Sequence, residues 1–358
     1  MTEKRKNKPY QYTIIPGVKK QIAATMDHLK IKPCDPKKTV DYFIKQEKRF
    51  YMPRVCDKKN NQYFFKARLQ DTDEVYRSAH KEIQFHKKIK PFAQQVRKHF
   101  IIPEYYDSGK GKNGFIWLKR EYQNGSFAGN MDLDLGLTNQ FFRKIKPANF
   151  AQALIAFQKL TPKVSKALKV PRHGFHWYQT DFQFYKYVRS LQRLYQEEVS
   201  FVEKFLKSQR SLVNKNANIL SHGDLYPNNI MVNQKNQLVL FDWEMLNLNN
   251  AAFDPCFIYL LAWRNRNWQK QFLKSIYQKQ KNKKLFKQLW QISLFSLTLR
   301  FLGHAQITRR QSYWRQMKKN GLSKKQLVTI RKKAQKTVPF HVKRLRAGIK
   351  QIDNFFKF

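Results

Sequence analysis

The apolar positions of residues 40–118 change period twice. RFYMPRVC (49–56) and QYFFKARLQ (62–70) are extended runs separated by the turn-like DKKNN. In the second run Tyr63 and Phe65 fall on one face and Phe64, Lys66 and Arg68 on the other, the two-residue period of a strand, so the pair predicts an antiparallel hairpin. From Asp71 to Lys90 the spacing lengthens: Val75, Ala79 and Ile83 recur at helical intervals, and DTDE places carboxylates at the positive end of the helix. Glu82, three residues past Ala79, lies on or beside that apolar face. A further extended run, GFIWLKREY (114–122), leads into the polar, glycine-containing QNGSFAGN, which marks the joint between a small sheet-rich lobe and a larger helical one.

Beyond Asn139 the pattern is mostly helical, with Phe150, Leu154 and Phe157 sharing one face and Phe184, Val188, Leu191 and Tyr195 another. A short hairpin interrupts it, where IMVN and LVLF flank QKNQ, and helices resume after Pro255. The chain is thus expected to comprise a basic arm (1–30), a small lobe (31–122) and a helical lobe (123–358). The last contains the loop and hairpin at 220–245 and ends in basic helices broken at Pro339. The fold class expected from this order is α+β, in two lobes.

Composition adds a charge argument. The 358 residues carry 71 Lys and Arg against 24 Asp and Glu, a formal charge of +47 with 42% apolar content. This excludes a disordered chain and favours anionic partners, a polyanion or an anionic membrane surface, while no specific protein partner is implied. The competing explanation is compositional: the chain is rich in Lys, Asn, Phe, Ile and Tyr, and many lysines are simply solvated. Cys34, Cys56 and Cys256 show no paired spacing, so neither a disulfide framework nor a zinc site is expected. With no signal-peptide pattern and no long apolar run, the expected compartment is the reducing cytoplasm.

The densest chemistry lies between Leu220 and Met245, where His222, Asp224, Asn229 and Asp242 stand within LSHGDLYPNNIMVNQKNQLVLFDWEM. A lone Asp or Asn in a loop is ordinarily a turn or cap residue. Together they match a different need. Phosphoryl transfer requires hard oxygen ligands for magnesium, a carboxylate that orients a hydroxyl and accepts its proton, and a cation on the donor phosphates. HGDLYPNN followed by FDWE resembles the catalytic segment of the aminoglycoside phosphotransferase and choline kinase family, small-molecule relatives of the protein kinases. That resemblance implies a protein-kinase-like fold, with a small antiparallel-sheet lobe and a large helical lobe, and ATP and Mg2+ as cofactors. It makes Asp224 the catalytic base, His222 a brace of the loop, and Asn229 and Asp242 the metal ligands. Lys66, held by Glu82, would bind donor phosphates, with Arg68 as a competitor on the same face. Glu121 and Tyr122 would form the hinge that meets the adenine.

Two departures accompany the resemblance. No glycine lies between Gly17 and Gly109, so a glycine-rich phosphate loop is missing, and DPCFIYLLAW has Ile258 where the family commonly has a second aspartate. Asp254 remains a candidate structural carboxylate. Residues 255–358 hold a single acid, Asp353, which disfavours a polycationic acceptor. A neutral or anionic small-molecule hydroxyl acceptor, such as a sugar, nucleoside or amino alcohol, fits better. Trp177, Tyr178, Trp263, Trp268 and Trp290 offer a cage for a choline-like cation or, more ordinarily, core. The rival reading is a catalytically idle kinase-like fold that binds RNA or another polyanion through its basic surface.

Overall fold

The computed structural model describes residues 13–131, 136–181, 195–307, 323–350 and 352–358. It divides into two compact units, the first made of Met1–Gln94, Ile102–Asn124 and Phe241–Met245 and the second of Gln95–Ile101, Gly125–Leu240 and Leu246–Phe358.

The first unit is built on a six-stranded antiparallel sheet of β1 (Ile31–Pro33), β2 (Phe50–Tyr51), β3 (Arg54–Asp57), β4 (Gln62–Arg68), β5 (Tyr105–Lys110) and β6 (Ile116–Glu121). The strand order is β1-β3-β4-β6-β5, with β2 also paired to β4. The expected hairpin is β3–β4, with Val55 opposite Tyr63. Its turn forms because the Asp57 carboxylate accepts from the Lys59 and Asn61 N–H groups (2.8 and 2.9 Å), while Asn60 takes the left-handed conformation (φ 60°) that Asn tolerates. Phe65 and Ala67 then face one apolar cluster with Ile15, Val18, Ile22 and Trp117. Lys66 and Arg68 face the opposite side, where Val75, Ala79 and Ile83 of α3 (Asp73–Ile89) pack on Ile116 and Leu118. The α3 helix starts where expected because the Thr72 side chain accepts from the Val75 N–H.

Two expectations are corrected here. The anticipated basic arm does not extend to residue 30: Val18–His28 forms α1, whose Val18, Ile22 and Met26 are buried. Lysines on its outer face mask an i, i+4 apolar stripe that the charge count obscured. Second, Cys34 and Cys56 form a disulfide, and only Cys256 is free. Their spacing of 22 residues is silent in sequence, but β1 pairs with β3 and Cys34 directly follows β1, with its Cα 5.4 Å from that of Cys56. Between these strands, where a glycine-rich loop is absent, the chain builds α2 (Val40–Lys45) and β2 instead. Denatured protein without reductant is expected to titrate one thiol and reduced protein three. Cys34→Ser is expected to cost about 3 kcal/mol of stability, from the loop entropy released. Three thiols in the unreduced protein would remove the bridge from the fold.

The second unit is mainly helical. Its hairpin of β9 (Ile230–Asn233) and β10 (Leu238–Leu240) pairs on its other edge with β7 (Gly125–Phe127). A two-stranded ribbon joins β8 (Ile219–Ser221) to β11 (Asn247–Asn249). Helices α4 (Asn139–Lys144), α5 (Pro147–Lys159), α6 (Thr161–Ala167), α7 (Phe175–Asp181), α8 (Gln196–Ser208) and α9 (Arg210–Asn216) precede the hairpin. Three more, α10 (Phe253–Leu261), α11 (Arg266–Gln278) and α12 (Lys283–Ile307), follow it, and α13 (Lys324–Lys350) closes the series. Phe150, Leu154 and Phe157 share a buried face of α5 as expected; Phe184, Val188 and Leu191 lie outside the described residues. The expected break at Pro339 does not occur, since α13 runs through it. The ring removes one backbone bond, but Val338, Val342 and Leu345 are buried around it, and their packing holds the helix together. Trp268 and Trp290 are core rather than cage, Tyr178 donates from its buried hydroxyl to Asn249 (2.8 Å), Trp177 stacks on His173 and Trp263 packs at a tilt against Phe340.

Candidate functional site

In the first unit the strand period and the helix period meet at one ion cluster. Lys66 Nζ lies 2.6 Å from Glu82 Oε2 and 3.0 Å from Asp242 Oδ1, and 4.4 Å from the Phe50 ring centroid. Glu82 is 1% exposed and Lys66 6%, so the pair is almost dry. Burial alone would push the Lys66 ammonium down; Asp242, Glu82 and Glu244 more than offset it and hold the lysine above its usual range. Arg68, its competitor, is occupied elsewhere, by Asp71 (2.9 Å) and the carbonyls of Gln70, Thr72 and Gly114.

Asp242 adopts φ +67°, a conformation that costs a non-glycine residue about 1–2 kcal/mol and that tends to persist at functional positions. Trp243 beside it is fully buried and stacks on Phe85 of α3 (4.3 Å between ring centroids), which anchors the turn. Sequence reasoning did not assign the rest of the cluster. Glu244, raised by burial, meets Arg49 at 3.5 Å. Arg120 is buried with its guanidinium 4.0 Å from the Phe64 ring centroid. His86, buried one turn after Glu82, is pushed well below the usual range by burial, then Arg120 and Lys66, and is neutral. Glu244 was visible in the FDWE motif; Arg49, His86 and Arg120 carry no sequence signal, because only the folded sheet and helix bring them together.

Glu121 touches this cluster through its main-chain oxygen, which accepts from Arg120 Nη1 (3.4 Å). The Glu121 N–H already donates to the Glu104 carbonyl (2.8 Å), and its carboxylate accepts from the Glu104 N–H (3.1 Å). Tyr122 lies under the Arg54 guanidinium (5.5 Å).

In the second unit the loop after β8 holds the remaining motif residues. Gly223 adopts φ +77°, which lets the loop turn so that Asp254 can gather three donors. The Ser221 hydroxyl (2.7 Å), the His222 N–H (2.7 Å) and the Gly223 N–H (3.2 Å) all donate to its carboxylate. His222 is fully buried. Asn229, 2% exposed, donates from Nδ2 to both the main-chain oxygen and the carboxylate of Asp224 (2.8 Å each). Its amide oxygen has no hydrogen-bond partner among the described residues and is a hard ligand available to a cation. Ile230 pairs with Leu240 across the hairpin.

Burial raises the Asp254 carboxyl to about 6, with its three donors pulling the other way. An acid raised in the fold favours the folded state below its unfolded value, and that contribution is lost as pH rises through about 6. Relative to Asp254→Asn, the wild type is therefore expected to lose roughly 2 kcal/mol of unfolding free energy between pH 4 and pH 7. Urea titrations of both proteins across that range would show parallel curves if Asp254 were ionised throughout.

Residues 133–282 match the phosphotransferase enzyme family, APH. No curated protein matches the chain. Among solved structures, the GDP and kanamycin complex of APH(2")-IIia is 12% identical, with 92% of this chain and 98% of that chain covered and a TM-score of 0.52. A type I macrolide 2'-phosphotransferase is 11% identical, with coverages of 90% and 98% and a TM-score of 0.51. An aminoglycoside phosphotransferase from Alicyclobacillus acidocaldarius is 11% identical, with coverages of 85% and 90% and a TM-score of 0.50. At these identities the likeness is one of fold; the family match covers residues 133–282, which contain the whole catalytic-loop motif. Residues 133–282 are thus similar to the phosphotransferase enzyme family, and the chain has the fold of the aminoglycoside and macrolide phosphotransferases.

Proposed function

We propose that the enzyme moves the γ-phosphate of ATP, with magnesium, to a hydroxyl of a small neutral or anionic molecule such as a sugar, nucleoside or amino alcohol. The observation that carries this reading is the clasp of Asp224 by Asn229 inside a loop braced by Asp254. In it, Asp224 orients the acceptor hydroxyl and takes its proton as the oxygen attacks phosphorus. The bond from phosphorus to the bridging oxygen breaks, leaving ADP and a phosphate monoester. Asn229 and Asp242 supply the oxygen ligands that suit magnesium, which when bound neutralises charge on the phosphate oxygens. Lys66, fixed by Glu82, holds donor phosphates. The acceptor preference rests on the single acid among residues 255–358, too few carboxylates to pair a polyamine.

The test is magnesium-dependent ATP consumption over a panel of sugars, nucleosides, amino alcohols and aminoglycosides. Turnover on a neutral or anionic alcohol is expected; turnover confined to aminoglycosides would overturn the acceptor class, and absence of ATP binding would overturn the donor. The proposed compartment is the cytoplasm. No helix of the described residues is long and apolar enough to cross a membrane. The Cys34–Cys56 bridge is the observation against a reducing compartment.

One feature favours polyanion binding as a second property. A cavity of about 660 Å³ is lined by Arg97, Lys98, Arg143, Lys144 and Lys146 and by no carboxylate. Lys144 donates to Ser126 and Phe127, and the other four cations have no paired acid among the described residues. Salt-dependent RNA binding without ATP turnover would favour the idle-fold reading over the kinase.

A further inference from the structure

The buried Lys and Arg side chains among the described residues, Lys66, Arg68 and Arg120, have partners, and the half-buried Arg344 differs from them. Arg68 is met by Asp71 and three carbonyls, and Arg120 lies in the field of Glu82 and Asp242. Arg344 of α13 has no such counter-charge. Its Nη2 donates to Gln269 (2.6 Å) and its guanidinium lies 4.7 and 4.5 Å from the Tyr259 and Phe340 ring centroids. Its Nη1 is buried without any hydrogen-bond partner. Burial pushes the guanidinium down from its ordinary value, Tyr259 and Cys256 oppose this, and the nearby Arg266 adds to it; no carboxylate acts on it. The only acid between residues 255 and 358, Asp353, faces Lys287 at 2.7 Å.

A half-buried guanidinium without a counter-charge favours an anion beside it. Arg344 lines a cavity of about 380 Å³, large enough for a small metabolite, whose rim carries four further cations: Arg266, Lys270, Lys343 and Lys357. Tyr259, Phe340 and Phe355 wall it with aromatic surface. A guanidinium suits a tetrahedral oxyanion, and the five cations that line the cleft exceed what one carboxylate would need.

We propose that this cleft is a binding site for a small phosphorylated molecule with an aromatic or apolar body, its phosphate on Arg344 and its body against Tyr259 and Phe340. None of the catalytic-loop residues lines the cleft, so the inference stands apart from the phosphotransfer reading. Its first wall, Tyr259, lies on α10 together with Asp254, the brace of that loop.

Phenyl phosphate is the probe, titrated calorimetrically into the full chain at constant ionic strength, with inorganic phosphate alongside. One saturable site is expected, binding phenyl phosphate more tightly than inorganic phosphate. Arg344→Met, which keeps most of the side-chain volume, should weaken it at least ten-fold. Because a half-buried substitution can perturb folding, the exposed pair Lys270→Ala and Lys343→Ala provides a second variant, also expected to weaken binding about ten-fold. Asp224→Ala should bind as the wild type does. Equal affinity in the wild type and both cleft variants would mean only association with the +47 field. Loss in Asp224→Ala alone would put the probe at the catalytic loop, and no saturable binding would leave the cleft without a ligand; each overturns the proposal.

Discussion

Asp224→Ala is expected to lower phosphoryl transfer by roughly 10³-fold, the scale of a positioned general base, while the fold and nucleotide binding stay intact. The separation of those effects follows from how the loop is held. Asp254, not Asp224, gathers Ser221, His222 and Gly223, so removing the Asp224 carboxylate leaves the brace untouched. Asn229 also keeps one of its two bonds, because Nδ2 donates to the Asp224 main-chain oxygen as well as to the carboxylate. What disappears is the group proposed to face the acceptor hydroxyl. The measurement is steady-state turnover on whichever acceptor the panel identifies, together with nucleotide binding and thermal unfolding of the same variant. A fall of less than ten-fold would mean that the proton leaves by another route and that the motif positions rather than reacts. A large fall in unfolding temperature would instead make Asp224 a structural member of the loop.

The parts of this protein legible in its sequence are those set by local periodicity or by residues close along the chain. The β3–β4 hairpin, α3 and the β9–β10 hairpin follow from strand and helix spacing and from turn chemistry at Asp57 and Asn60. The loop from His222 to Asn229 is compact enough for its own residues to satisfy one another, which is why its motif could be read at all. Contacts that join distant segments left no such trace. Cys34 and Cys56 meet only through strand register, and Arg49, His86 and Arg120 join the Lys66 cluster only once β2, α3 and β6 have packed. Basic composition misled in one direction: the lysines of α1 suggested a solvated arm, yet its stripe of Val18, Ile22 and Met26 completes the core. Proline misled in the other, since packing around Pro339 outweighed its local cost.

The Lys66 cluster yields the largest expected effect on stability, and it can be separated from any effect on catalysis. Lys66→Met keeps much of the volume but removes the cation that Glu82 and Asp242 share, leaving Glu82 buried at 1% exposure without its ion-pair partner. Breaking a buried pair in this way costs about 3–5 kcal/mol, because the remaining charge stays in a poorly solvated place. The same substitution removes the proposed contact to donor phosphates, so transfer should also collapse. A second substitution, Glu82→Gln, distinguishes the two losses. It cancels the stranded charge, and the double variant Lys66→Met/Glu82→Gln is expected to recover about half or more of the lost stability in a double-mutant cycle. Activity should not return with it, since no cation has been restored. Stability and activity recovering together would show that Lys66 serves the fold alone, with the phosphates bound by another group. Failure of Glu82→Gln to recover any stability would mean that the pair is uncoupled despite its 2.6 Å separation and that the cost lies in packing around Phe50.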